Sequence, residues 1–132
     1  MAASLRTRSL DCATDATATY AAFLDAIAAR DFERIGELAT ERLRAELRAM
    51  RSCAGFPALF GMWCESYPKS AQAVAVRCDG PVAVLDMRGE VDGGIVNARV
   101  VLVRVDGQWR VEKEYFRPPC VAEDRRSAVK VC

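Results

Sequence analysis

Three Asp-Gly pairs, Asp79-Gly80, Asp92-Gly93 and Asp106-Gly107, fall at nearly even intervals in the second half of the chain, each between valine-rich runs. Asp-Gly is favoured at the two-residue turn of a β-hairpin, because both turn residues take φ > 0. The pattern predicts a four-stranded antiparallel meander over residues 71–116. The turns also set the pairing. They place Val76 opposite Ala83, Val74 opposite Leu85, Met87 opposite Ala98, Leu85 opposite Val100, Leu102 opposite Val111 and Ala98 opposite Tyr115. Side chains alternate faces along a strand, so independent registers must agree on which face is apolar. One face then collects Val74, Val76, Cys78, Ala83, Leu85, Met87, Val96, Ala98, Val100, Leu102, Val111 and Tyr115.

The opposite face is mixed. Asp86, Arg99 and Glu114 are expected in one cross-strand row, with Arg88 and Glu112 extending it, as a charge ladder between neighbouring strands. Val82, Val84, Val101, Val103 and Val105 occupy the rest of that face. Five valines together form a contiguous apolar patch of the kind that marks an association surface. A homodimer through these valines is the expected partner, with coverage by the chain's own C-terminal tail as the alternative. Trp109 is expected to face Arg104 across the last hairpin in a cation-π contact.

At 132 residues the chain has room for one core and not for two ordinary domains. A net charge of +1 with 28% charged residues argues against nucleic acid or a membrane surface as partner. Arg42, Arg44, Arg48 and Arg51 alternate with Glu41 and Glu46 on an expected helix, which reads as a solvated face. No apolar run approaches the roughly 18 residues of a membrane span. Arg6 and Arg8 precede no apolar stretch, so the N-terminus does not read as a signal peptide. Residues 1–14 are expected to form a loose arm, 15–117 the folded domain and 118–132 a tail.

Three helices are expected ahead of the sheet. The first covers about residues 15–29, with Tyr20, Phe23, Leu24, Ile27 and Ala28 as its apolar stripe. Arg30-Asp31 breaks it, and Asp31 can cap a short second helix carrying Ile35, Leu38 and Ala39. Thr40 can cap a third, buried through Leu43, Leu47 and Met50. Residues 53–68 are rich in Phe56, Phe60, Met62, Trp63 and Tyr67, but Gly55, Pro57, Gly61 and Pro68 argue against a long regular element there. This segment is expected to plug the open end of the helix–sheet layer, or to act as a lid.

The run from Tyr20 to Ile35, followed by a meander ending in Asp106-Gly-Gln-Trp-Arg-Val-Glu-Lys-Glu-Tyr-Phe, resembles the nuclear-transport-factor-2-like superfamily over roughly residues 15–116. The resemblance implies an α+β cone: three N-terminal helices packed on the concave face of a bent antiparallel sheet. It implies no single activity, since the family spans isomerases, dehydratases, epoxide hydrolases, cyclases and non-enzymatic domains. Its enzymatic constellations do not carry over. The chain has no histidine for a dehydratase-like His-Asp pair. Phe23 stands eight residues before Asp31, where isomerase-like members place a tyrosine, and Thr40-Glu41-Arg42-Leu43 replaces their acidic-aromatic segment. Asp86 and Arg99 have the residue types of an epoxide-hydrolase-like set, but their register puts them on the outer face. No catalytic residue is therefore assigned.

If the concave face holds a small apolar ligand, its polar end is expected at Gln72, Lys113 and Tyr115, with Tyr20 and Trp63 as walls. The alternative places those polar groups at a frayed rim, with Lys113 reaching to water. The six cysteines, Cys12, Cys53, Cys64, Cys78, Cys120 and Cys132, form no Cys-x-x-Cys pair, and without histidine no metal or cofactor site is expected. With no export signal read, reduced thiols in a cytoplasm are the expectation, to be replaced by disulfides if the natural protein is exported. Two functions follow: a non-catalytic ligand-binding or assembly domain, and, as the alternative, a small-molecule isomerase, cyclase or hydrolase of the same fold.

Overall fold

The computed structural model describes the backbone of residues 2–91 and 93–117 and the side chains of 11–91 and 93–116. Four helices, α1 (Ala2–Ala28), α2 (Phe32–Glu37), α3 (Glu41–Arg51) and α4 (Phe56–Glu65), precede four strands. The strands β1 (Ala71–Asp79), β2 (Val82–Val91), β3 (Gly94–Val105) and β4 (Gln108–Arg117) form one antiparallel sheet in sequential order. The α+β architecture and the meander are as the turn signals require.

The helices begin and end where local chemistry dictates. Arg30 takes φ +55° and ends the first helical run, and the Asp31 carboxylate accepts from the Arg34 amide at 3.1 Å to start α2. The Thr40 hydroxyl accepts from the Leu43 amide at 3.3 Å to start α3. Two expectations fail here. First, α1 is helical from Ala2 rather than from about residue 15, so residues 11–14 are not a loose arm. Its stripe runs Cys12, Ala16, Tyr20, Phe23, Ile27, all buried at spacings of three and four. Second, residues 56–65 are a ten-residue helix, not an irregular plug. Pro57 falls in the first turn, where no amide hydrogen bond is lost, and Gly61 is buried where an added Cβ would lie 3.1 Å from the Arg30 guanidinium.

Cys12 on α1 and Cys78 on β1 are joined by a disulfide across a sequence separation of 66. Cys53 is also disulfide-bonded, and Cys64 is a buried free thiol. The expectation of reduced thiols is therefore overturned for Cys12, Cys53 and Cys78, while Cys64 is reduced. The reason is geometric: Cys12 continues the buried stripe of α1, and that stripe lies over the inward face of β1 on which Cys78 sits. The expected tail over 118–132 and the side chains of its Cys120 and Cys132 lie outside the described residues.

The second hairpin has the expected register, Met87 opposite Ala98 and Leu85 opposite Val100. The third begins as expected, with Leu102 opposite Val111 and with Asp106 and Gly107 at φ +52° and +79°. In the first, the loop is Gly80-Pro81 and Asp79 pairs with Val82, so Val76 faces Leu85 rather than Ala83. That slip of two residues keeps the inward face intact.

A β-bulge in each edge strand does not keep it. In β1 the pairing passes from Ala73–Met87 to Ala75–Asp86, leaving Val74 as the extra residue; it is 60% exposed rather than in the core. In β4 it passes from Leu102–Val111 to Val101–Lys113, leaving Glu112 as the extra residue. Beyond that point every side chain of β4 faces opposite to the uninterrupted alternation. Glu114 turns inward opposite Val100, and Tyr115 turns outward opposite Arg99. The inner row across the sheet is Ala73, Met87, Ala98 and Phe116, not Gln72, Met87, Ala98 and Tyr115.

The core lies between this inner face and α1, with Tyr20, Phe23, Ile27, Ile35, Leu85, Val100, Leu102 and Val111 fully buried. None of the described helices is long and apolar enough to cross a membrane.

Candidate functional site

A half-buried carboxylate sits between the helices and the sheet. Glu114 is carried inward by the β4 bulge and receives both of its hydrogen bonds from phenols. The Tyr20 hydroxyl on α1 donates to Oε2 at 2.6 Å, and the Tyr67 hydroxyl, just beyond α4, donates to Oε1 at 2.5 Å. Tyr20 is 1% exposed and stacks on Phe23 at 5.8 Å between ring centres. Tyr67 is held edge-on by Trp63 at 5.0 Å and by Phe116 at 5.3 Å. Three separate segments thus converge on one carboxylate.

Burial pushes the Glu114 pKa above the ordinary carboxylate value, and the two phenol hydrogen bonds pull it only part of the way back. Both tyrosines are driven well above the ordinary phenol range, first by burial and then by the negative charge on Glu114. They stay protonated at any working pH and remain donors. Each carboxylate oxygen accepts from one phenol and keeps a second lone pair.

Aromatic rings flank this site, with Phe60 and Tyr67 buried and Phe116 40% exposed. Phe32, Phe56, Phe60, Trp63, Tyr67 and Phe116 run in an unbroken chain, successive centres 5.0–6.0 Å apart. Gly89 is required at its edge: an added Cβ would lie 2.7 Å from the Ser70 carbonyl and 2.8 Å from Pro68. Cys64 does not read as a nucleophile, because burial, its largest influence, raises the thiol pKa.

The expected ligand residues divide between the two faces. Gln72 pairs with Arg88 on the exposed outer face, and Tyr115, 50% exposed, lies beside Lys113, whose Nζ is 5.1 Å from its ring centre. Tyr20 and Trp63 stand on the inner side. The five are not brought together. The cause is the pair of bulges, which moved the polar trio outward and left Glu114 inward in its stead.

Of the expected charge row, Asp86 and Arg99 pair at 2.9 Å on the outer face, and Glu114 is absent from it. The hydrogen bond from Arg99 lowers the Asp86 pKa. An open depression of about 540 Å³ lies here, lined by Val74, Asp86, Asn97, Arg99 and Tyr115 with Met87 and Ala98. Arg99→Met is expected to leave the denaturation midpoint unchanged within error, since an ion pair open to water contributes little. A clear loss of stability in urea titration would show that the pair carries structural load. The expected Arg104–Trp109 contact is present, the guanidinium 4.7 Å from the ring centre.

Sequence reasoning missed Glu114 and Tyr67. One signal was available. Uninterrupted alternation through Val111-Glu-Lys-Glu-Tyr-Phe puts Lys113 in the apolar row, and a single inserted residue removes that conflict. Tyr67 follows an aromatic helix that the Gly and Pro residues concealed. Among the described residues, no group of three or more His, Cys, Asp or Glu side chains is arranged to hold a metal ion.

No protein-family model matches the chain, and no curated protein does. Among solved structures, an NTF-2-like protein of unknown function from Silicibacter pomeroyi DSS-3 superimposes with a TM-score of 0.55 at 16% identity, covering 89% of this chain and 99% of that one. The fold is NTF-2-like. A second NTF-2-like protein of unknown function, from Burkholderia xenovorans LB400, matches at 14% identity and a TM-score of 0.47, over 89% of this chain and 94% of that one.

Proposed function

We propose that this NTF-2-like chain is a non-catalytic binding or assembly domain that works through the outer face of its sheet. The observation that carries the reading is the apolar outer face, where Val82, Val84, Val101 and Val103 lie together beside an open depression. On the inner side the Glu114 carboxylate is held by two phenols, one on each oxygen.

The outer face combines an apolar patch with a depression. Val82, Val84, Val101 and Val103 are half-buried there and Val105 is 37% exposed, beside the depression at Tyr115 and Arg99. A symmetric homodimer that buries the valines is the partner such a face fits, because the same patch meets itself across a two-fold axis. The depression leaves space for a small ligand at the rim of that contact. The Cys12–Cys78 bond favours an oxidising compartment as the place of work, since structural disulfides persist there and are rare in a reducing cytoplasm.

Sedimentation equilibrium at micromolar concentration tests the reading. A species of twice the 14.5 kDa chain is expected, and a Val84→Lys, Val101→Lys double variant should sediment as a folded monomer. A wild-type monomer across the accessible concentration range sinks the dimer.

A further inference from the structure

α4 is the least polar segment of the fold, with no charged residue from Phe56 to Cys64. It buries Phe60, Gly61 and Cys64 and turns Pro57, Ala58 and Met62 outward, with Met62 67% exposed and Leu59 and Trp63 half-buried. A helix face that exposes Met62 and no polar side chain is suited to an apolar contact.

The two ends of the helix identify the cover. At its C-terminal end the Phe116 ring meets Tyr67 at 5.3 Å, so β4 delivers the chain to this place with residues 118–132 still to follow. At its N-terminal end, two residues before Gly55, stands the disulfide-bonded Cys53. Cys12 is joined to Cys78 and Cys64 is a free thiol. Of the six cysteines, only Cys120 and Cys132 remain as partners for Cys53 within one chain.

We propose that residues 118–132 are strapped to Cys53 by a disulfide and dock along the outer face of α4. The reach suffices for Cys132: a ten-residue helix is about 15 Å long, an extended segment from Arg117 to Cys132 spans about 50 Å, and one to Cys120 spans only about 10 Å. Val121, Ala122, Ala128, Val129 and Val131 supply apolar side chains to lay on Leu59, Met62 and Trp63. Closing the bond takes two protons and two electrons from the two thiols. A protein disulfide donor accepts them and leaves as a dithiol. The strap would make the C-terminal segment part of the helical layer.

Two measurements on the full-length oxidised chain test it. Proteolysis without reductant, followed by mass spectrometry, should give the Cys53 peptide joined to a peptide carrying Cys120 or Cys132. A free Cys53 thiol overturns the proposal. So does a Cys53 bond joining two chains, recognised by mixing isotopically light and heavy protein. The second measurement is the rate at which hydrogen peroxide oxidises Met62. It should be slow in the wild-type chain and several-fold faster in Cys53→Ser, because the strap shields the thioether. One of Cys120→Ser and Cys132→Ser should reproduce that increase and the other should not, which keeps the test open if Cys53→Ser fails to fold. Equal Met62 oxidation in wild type and all three variants overturns the docking.

Discussion

Glu114→Ala should destabilise the protein by about 2–6 kcal/mol, since it leaves two buried phenol hydroxyls without an acceptor at about 1–3 kcal/mol each. Chemical denaturation measures it directly, and a loss below about 1 kcal/mol would mean that water replaces the carboxylate. Glu114→Gln removes the titrating charge and keeps one of the two acceptor oxygens. Burial raises the native pKa of Glu114 above its ordinary value of 4.5, so the native state holds this proton more tightly than the unfolded chain does. The resulting stability is fully present below the unfolded pKa and is lost as pH rises through the native one. The wild-type protein should therefore weaken relative to Glu114→Gln as pH increases from about 4.5, and the difference should level off once Glu114 is ionised in both states. Parallel stability–pH curves for the two proteins would show that the native pKa is not raised.

Loss of the Cys12–Cys78 bond is the second large expected effect. Chain-entropy reasoning for a separation of 66 residues gives about 4 kcal/mol, and measured values for native disulfides centre on roughly 2–4 kcal/mol. Cys78→Ser, or a Cys12→Ser, Cys78→Ser double variant, should lower the melting temperature by roughly 10 °C at a few degrees per kcal/mol. The stripe from Cys12 to Tyr20 also ties this bond to Glu114. A loosened α1 should shift the Tyr20 hydroxyl, and the near-ultraviolet circular dichroism of the tyrosines should report it. A variant melting within about 2 °C of wild type would show that packing of α1 alone holds the helix in place.

How much of this was legible in the sequence depended on the kind of signal. Turn chemistry was strong: Asp106-Gly107 and Asp92-Gly93 gave the strand order and the register of two hairpins, and Asp31 and Thr40 marked two helix starts. Periodicity was weaker wherever the geometry departs from ideal. A bulge adds one residue and has no composition of its own, so Glu114 and Tyr115 were assigned to each other's faces while Leu102 and Val111, only a few residues away, were assigned correctly. The candidate site failed for that reason alone. The helix at residues 56–65 was hidden because proline and glycine punctuate helices only by position, and Pro57 stands where proline is tolerated. The N-terminal half of α1 has only Leu5 and Leu10 as large apolar residues, and its stripe of Cys12 and Ala16 becomes visible only once Cys78 is known to lie opposite.

The two bulges have a consequence for how copies of this chain can meet. An open sheet ordinarily offers its outermost strands as templates for added strands from other molecules, and bulges that twist those strands away are one way of preventing this. β1 and β4 are the two outer strands, and each is bulged. β4 is further occupied by the α2–α3 link: the Thr40 amide donates to the Val111 carbonyl at 2.9 Å, and the Val111 amide donates to the Leu38 carbonyl at 2.8 Å. Both margins of the sheet are thereby poor sites for runaway strand addition. Growth into fibrils is blocked at the edges, and the broad valine-bearing surface is left as the side from which another molecule can approach.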